Sequence, residues 1–105
     1  RIAMKRIRVT YKAKADQAQE NQRLVEAVFA ELAAKNPGGL RCASFKQEDG
    51  VSFVHVVSIE TADGSNPLEQ IDAFDAFTDQ IGDRCDIPPQ VMPLTDVGTY
   101  HFFGD

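Results

Sequence analysis

Hydrophobic and polar residues along this chain change period in the order strand, helix, strand, strand, helix, strand. From Arg6 to Ala13 they alternate, with Ile7, Val9, Tyr11 and Ala13 on one side and Arg6, Arg8, Thr10 and Lys12 on the other. A period of two with β-branched content predicts a strand. Asp16 and Gln19 then resemble a capping box, and Leu24, Val25, Val28, Phe29 and Leu32 recur at helical spacing. Asn36-Pro37-Gly38-Gly39 stops that helix, because Pro disfavours helical geometry before it and Gly permits positive φ.

Leu40 to Lys46 and Val51 to Thr61 read as a strand pair, joined through Gln47-Glu48-Asp49-Gly50, which carries the Asp-Gly signal of a tight reversal. In the second of these strands Phe53, His55, Val57 and Ile59 share one face, and Val54 and Val56 lie on the other. A strand apolar on both faces is covered on both faces. Asn66-Pro67-Leu68-Glu69 has an N-cap Asn, a Pro at the first helical position and a Glu two residues later, which predicts a helix start. Ile71, Phe74, Phe77, Thr78, Ile81 and Cys85 continue it as an apolar side, opposite Glu69, Asp72, Asp75, Asp79, Asp83 and Asp86. Pro88-Pro89 ends this segment, and Val97 to Phe103 is the last apolar run, expected to be the fourth strand.

The order is that of an α+β, ferredoxin-like βαββαβ domain, a four-stranded antiparallel sheet with two helices on one face. Two helices cover only one face, so the other is expected to meet a second copy of the chain. The 105 residues make one domain, taken as 4–105, with Arg1 to Ala3 as an upstream extension. Sixteen acidic against eleven basic residues give a net charge of −5, which argues against nucleic acid or an anionic membrane as partner. No apolar run approaches the ~18 residues of a membrane helix, and a cytoplasmic location is the default expectation. Cys42 and Cys85 form no disulfide framework or metal cluster; they are expected as buried reduced thiols.

Chemistry-bearing motifs are absent: the chain has no CxxC, HExxH, Gly-rich phosphate loop or nucleophile motif. The acidic helix side reads as a solvated face, because hard cations need ligands converging from several elements. His55 and His101 each fall in an expected strand, and two imidazoles on one cavity would shuttle protons near neutral pH. Burial among apolar neighbours would depress the basicity of His55. Tyr11, Phe45, Phe53, Phe74 and Phe77 fill a core or wall an apolar pocket between sheet and helices, with Tyr11 and His55 as its polar handles. Arg6, Arg8 and Lys12 would face the second sheet side, where buried charge needs partners such as Glu60 or bound anions.

With its element order, the strand Val51-Ser52-Phe53-Val54-His55-Val56-Val57 after a tight turn, and Asn66-Pro67-Leu68 leading to a helix that ends near Arg84-Cys85, the chain resembles the dimeric α/β-barrel superfamily and, within it, the antibiotic-biosynthesis-monooxygenase-like proteins. The resemblance covers Met4 to Gly104. It implies a homodimer whose two sheets close a barrel, and a family in which some members oxidise polycyclic aromatics with O₂ and no metal or flavin, while others degrade haem. Cofactor-free members use a tryptophan and an asparagine near the pocket; this chain has no tryptophan. Haem-degrading relatives carry an axial histidine on or near the second helix, and Ile71 to Cys85 contains none. Stress-responsive relatives carry a strand histidine, as His55 would be.

Two functions follow as expectations. One is cofactor-independent, metal-free, monooxygenase-like oxidation of an aromatic or quinone-type substrate, with His55 and Tyr11 positioning and deprotonating it and Phe45, Phe53, Phe74 and Phe77 as binding residues. The other is a non-catalytic ligand-binding or structural homodimer on the same scaffold, taking at most a small apolar ligand.

Overall fold

The computed structural model describes residues 4–103; the expected extension at 1–3 and the last two residues of the expected domain lie outside them. Strand β1 (Lys5–Ala13) leads into helix α1 (Ala18–Lys35), followed by β2 (Leu40–Lys46) and β3 (Ser52–Ile59). A 3-10 turn (Pro67–Gln70), helix α2 (Asp72–Thr78), a second 3-10 turn (Ile81–Arg84) and β4 (Cys85–Leu94) complete the order. The four strands form one antiparallel sheet in the order β2-β3-β1-β4. This is the expected ferredoxin-like α+β architecture.

Strand pairing sorts the side chains into two layers, because successive residues point to opposite faces. On the inner face, toward the helices, Cys42 pairs with Val57 and Val57 with Ile7; Ser44 pairs with His55 and His55 with Val9; Lys46 pairs with Phe53 and Phe53 with Tyr11. The core is built on this face from Tyr11, Ala13, Phe53, Val57 and Ile59, closed by Val28, Leu68, Ile71 and Phe77. On the outer face Phe45, Val54 and Thr10 share one row, and Arg41, Ser58, Arg6 and Leu94 another.

Local chemistry accounts for the turns. Asn36 caps α1 in the left-handed conformation and returns its N–H to Leu32 O. Asp49 Oδ1 accepts from the N–H groups of Val51 and Ser52, holding the β2–β3 reversal with Gly50 at φ 76°. Asn66 Oδ1 accepts from Leu68 N, the expected cap.

Several expectations are corrected. Helix α1 starts at Ala18 behind Gln17 with no side-chain cap, so the Asp16–Gln19 capping box does not form. The second helix is not continuous from 67 to 85. Ile71 is extended and only 1% exposed, so its burial interrupts the helix, and Gln80 turns left-handed after Asp79. The acidic residues Asp72, Asp75, Asp79, Asp83 and Asp86 are exposed but share no single helix, and no metal-holding cluster occurs among the described residues. Cys85 opens β4 instead of lying on a helix, and both cysteines are free.

Strand β4 contains Pro88 and Pro89, the residues expected to end the preceding segment, and also Pro93. It pairs only with β1, so it is an edge strand, where a proline costs no interior ladder bond. Its register shifts between Thr10 and Lys12, which absorbs an extra residue beside the two prolines. Residues 97–103, expected as the fourth strand, form bends and irregular backbone instead, and His101 has φ 52°.

Gly39 sits at φ 76°, and a Cβ there would lie 2.6 Å from Thr61 Cγ2 and 3.2 Å from the Thr61 backbone. Gly50 shares the φ but has open space around it. Gly39→Ala is therefore expected to lose about 2–3 kcal/mol and Gly50→Ala about 1 kcal/mol in urea unfolding. Equal losses would show that the Thr61 contact is not a constraint.

Candidate functional site

The site is a cavity of about 290 Å³ between the sheet and the helices. Its floor is inner-face sheet: Ile7, Val9, Val57, Ser44 and His55. Its walls come from α1 (Val25, Val28, Phe29) and from Phe74, Phe77 and Ile81. The alternation seen in β1 and β3 is what places this lining, since one residue of register would send it to the other face.

Polar lining is sparse. Thr78 donates its hydroxyl to the Phe74 and Asp75 carbonyls, and Asn66 Oδ1 is engaged with Leu68 N. Ser44 and His55 form the polar edge that leads inward. His55 Nδ1 lies 2.5 Å from Ser44 Oγ, and its Nε2 lies 2.8 Å from Tyr11 Oη. Behind Tyr11, Asn21 Nδ2 donates to Oη at 2.7 Å. Asn21 Oδ1 in turn accepts from Nε and Nη2 of Arg84, each at 3.4 Å. Arg84, 9% exposed, also donates to the carbonyls of Phe77 and, at 3.1 Å, Asp79.

Burial sets the protonation of this chain of groups. His55 is 8% exposed, and desolvation of its charged form pushes its pKa down from 6.5 to about 4. Desolvation pushes Tyr11 up to about 12, against the smaller opposing effect of its hydrogen bond from Asn21. Both are neutral at pH 7. Cys42, on the cavity wall, has its thiol pushed up by burial, so it is no ready nucleophile.

The expected site residues separate. Phe74 and Phe77 wall the cavity, and Phe77 sits edge-on to His55 with ring centroids 5.6 Å apart. Tyr11 touches His55 but does not line the cavity; it lies behind it, stacked on Phe53 at 5.4 Å. Phe53 is core beneath Tyr11, also bordering a groove between α1 and the β2 edge. Phe45 is 52% exposed and points to the outer sheet face, so it is not part of the His55 cavity. Residue 45 lies one step out of phase with Cys42 and Ser44, which decides its side. His101 lies outside the cavity in the C-terminal bends against Tyr100, so the two histidines do not share a site.

Asn21, Ser44 and Arg84 were not among the residues expected. Asn21 had a signal: it is polar at helical spacing on the side of Leu24, Val25 and Val28. Ser44 had one too, through its strand parity with Cys42. Arg84 had none, because arginines at segment ends are usually solvated.

A histidine buried neutral links stability to acid. Its unfolded form takes up a proton below pH 6.5, whereas the folded form resists until about pH 4. The stabilisation is thus fully present above pH 6.5 and is lost as pH falls through that window. At about 1.4 kcal/mol per pH unit it amounts to ~3 kcal/mol. Urea unfolding from pH 7 to 4 should show wild type losing that much more than His55→Gln; parallel losses would remove His55 as the buried neutral group.

No family model matches the chain, and no curated protein matches it in sequence. Solved structures do. Rv0793 from Mycobacterium tuberculosis superposes with a TM-score of 0.73 at 13% identity, covering 92% of this chain and 98% of the other. A Caulobacter crescentus protein assigned as an antibiotic biosynthesis monooxygenase gives 0.73 at 17% identity, covering 92% of each chain. SnoaB, a cofactor-independent oxygenase from Streptomyces nogalater seen as a point variant, gives 0.66 at 12%, covering 91% of this chain and 95% of the other. At these identities the shared property is the fold: this chain has the ferredoxin-like α+β fold of the antibiotic-biosynthesis-monooxygenase-like structures.

Proposed function

We propose that this chain is a small-molecule enzyme of the monooxygenase-like kind, acting without a cofactor on a compact aromatic or quinone-type substrate. The observation that carries the reading is an apolar cavity of about 290 Å³ whose inward polar edge is Ser44 with His55. That volume is about twice the ~150 Å³ that admits benzene, and so suits one or two rings. Phe74 and Phe77 wall the substrate, the Ser44–His55 pair forms the polar edge it meets, and Tyr11, placed behind His55, is a positioning residue. Dioxygen is the co-substrate, and it reacts once the ring system carries enough negative charge.

The working unit in this reading is a homodimer. Phe45 is half-exposed on the outer face beside Val54 and Val56, with Met92 across Arg8 from Val56, and a second copy would cover these apolar residues. Among the described residues no helix is long and apolar enough to cross a membrane. The free thiols of Cys42 and Cys85 suit a reducing, cytoplasmic setting.

A second reading, a non-catalytic ligand-binding homodimer, is favoured by one observation. His55 is a poor base at neutral pH, with its pKa near 4 and both ring nitrogens engaged. A panel of phenols and hydroxynaphthoquinones separates the two. Catalysis predicts a bound member that raises the melting temperature and is consumed with matching O₂ uptake, slowed at least ~100-fold in His55→Ala while the protein still runs as a dimer. Binding without O₂ uptake selects the second reading. No binding at all removes both.

A further inference from the structure

The polar groups leading into the cavity form one connected chain, and their inventories of donors and acceptors fix which way its hydrogens point. Arg84 is donor-only, so the oxygen of the Asn21 amide, not its nitrogen, must face the guanidinium. The amide nitrogen then faces Tyr11 and donates to Oη at 2.7 Å. Tyr11 has one hydrogen left to place and one remaining neighbour, His55 Nε2 at 2.8 Å. The reverse arrangement would aim two donors at the phenol oxygen. It would also strand the phenol's own hydrogen, without an acceptor among the described residues, on a side chain 3% exposed.

Nε2 of His55 is therefore the bare nitrogen. The neutral imidazole carries its hydrogen on Nδ1 and donates it to Ser44 Oγ at 2.5 Å. Ser44 is the last member. Its hydroxyl hydrogen has no acceptor among the described residues, and the residue lines the cavity.

We propose that the chain Arg84–Asn21–Tyr11–His55–Ser44 ends in a hydrogen-bond donor aimed into the cavity, and that the site takes a flat apolar molecule whose carbonyl oxygen, ketone or quinone, accepts from Ser44 Oγ. This rests on the cavity reading above and names the substrate class within it. Ser44 touches the ligand; His55, Tyr11, Asn21 and Arg84 orient and polarise it, each bond strengthened by the donor behind it. With both nitrogens of His55 committed, the imidazole takes no proton from the ligand, so the site needs a substrate that is already ionised when it meets O₂. The site stabilises negative charge that develops on the ligand oxygen.

Two measurements test this. Nitrogen-15 NMR of the wild-type imidazole at neutral pH should show Nδ1 protonated and Nε2 bare. In Asn21→Asp, a carboxylate faces Tyr11 and takes its hydrogen, so the His55 tautomer should invert. Calorimetric binding of acetophenone and ethylbenzene, alike in shape but differing in the carbonyl, reads the donor. Ser44→Ala should lower acetophenone affinity about fivefold, the share of one neutral hydrogen bond, and leave ethylbenzene unchanged. An Nε2–H tautomer in the wild type, or equal effects of Ser44→Ala on both ligands, would overturn the inference and leave the cavity reading standing. If the wild type binds neither compound, the cavity reading fails and this ligand class with it.

Discussion

A buried guanidinium sets the terms for the layer between sheet and helices. Arg84 has no carboxylate within ion-pair distance among the described residues, and its hydrogens go to main-chain carbonyls at the end of α2 and to the amide of Asn21. Leaving any member of this set unpaired would cost about 1–3 kcal/mol, more for the charge itself. The set therefore behaves as one unit. It ties the end of α2 to α1, α1 to β1 through Tyr11, and β1 to β3 and β2 through His55 and Ser44. Apolar packing on Tyr11, Phe53 and Phe77 surrounds it on the core side. On the other side the helices stand off from the sheet, and the cavity occupies the gap.

Much of this was legible in the chain. Strands β1 to β3 and helix α1 announce themselves because their apolar residues keep a clean period against one buried surface. The second half is harder to read because its signals conflict. Ile71 to Cys85 holds a helical period, yet Ile71 is buried in an extended conformation, and the left-handed Gln80 breaks the helix before the second 3-10 turn. The prolines of β4 look like terminators to any reading by propensity. They are tolerated because β4 is paired on one side only, a fact of topology that local sequence does not carry. The run 97–103, apolar enough for a strand, has no free ladder position beside β1, which β3 and β4 already flank.

The site divides along the same line. Strand parity alone puts Tyr11 and His55 on the face that meets the helices, and the same parity sends Phe45 away from it. That Tyr11 reaches His55 depends on register: Tyr11 pairs with Phe53, which leaves His55 diagonal to it and within reach of the phenol hydroxyl. Asn21 could be suspected as a polar residue on an apolar helix side. Its partner Arg84 could not, because that contact spans 63 residues of sequence and depends on where the broken second helix turns back.

On the outer face, one of the three basic residues of β1 finds its partners within the chain. Arg6 is not left as an isolated charge. Its guanidinium meets Asp96 and Ser58 Oγ, lies 3.9 Å from Glu60, and is covered by the Phe103 ring at 3.8 Å from its centroid. Glu60 is itself shared with Arg41 at 3.2 Å and with the Ser58 hydroxyl at 2.7 Å. This end of the face is thus neutralised within one chain and partly roofed by its own C-terminal segment. The opposite end, along Ala43, Phe45, Val54 and Val56, carries no charge in its β2 and β3 positions. A partner copy laid across the Arg6 end would desolvate ion pairs that are already mutually satisfied, at far lower cost than burying lone arginines. Arg8, exposed between Val56 and Met92, and Lys12 are in no ion pair among the described residues, so they are the charges such a partner would have to meet with carboxylates of its own.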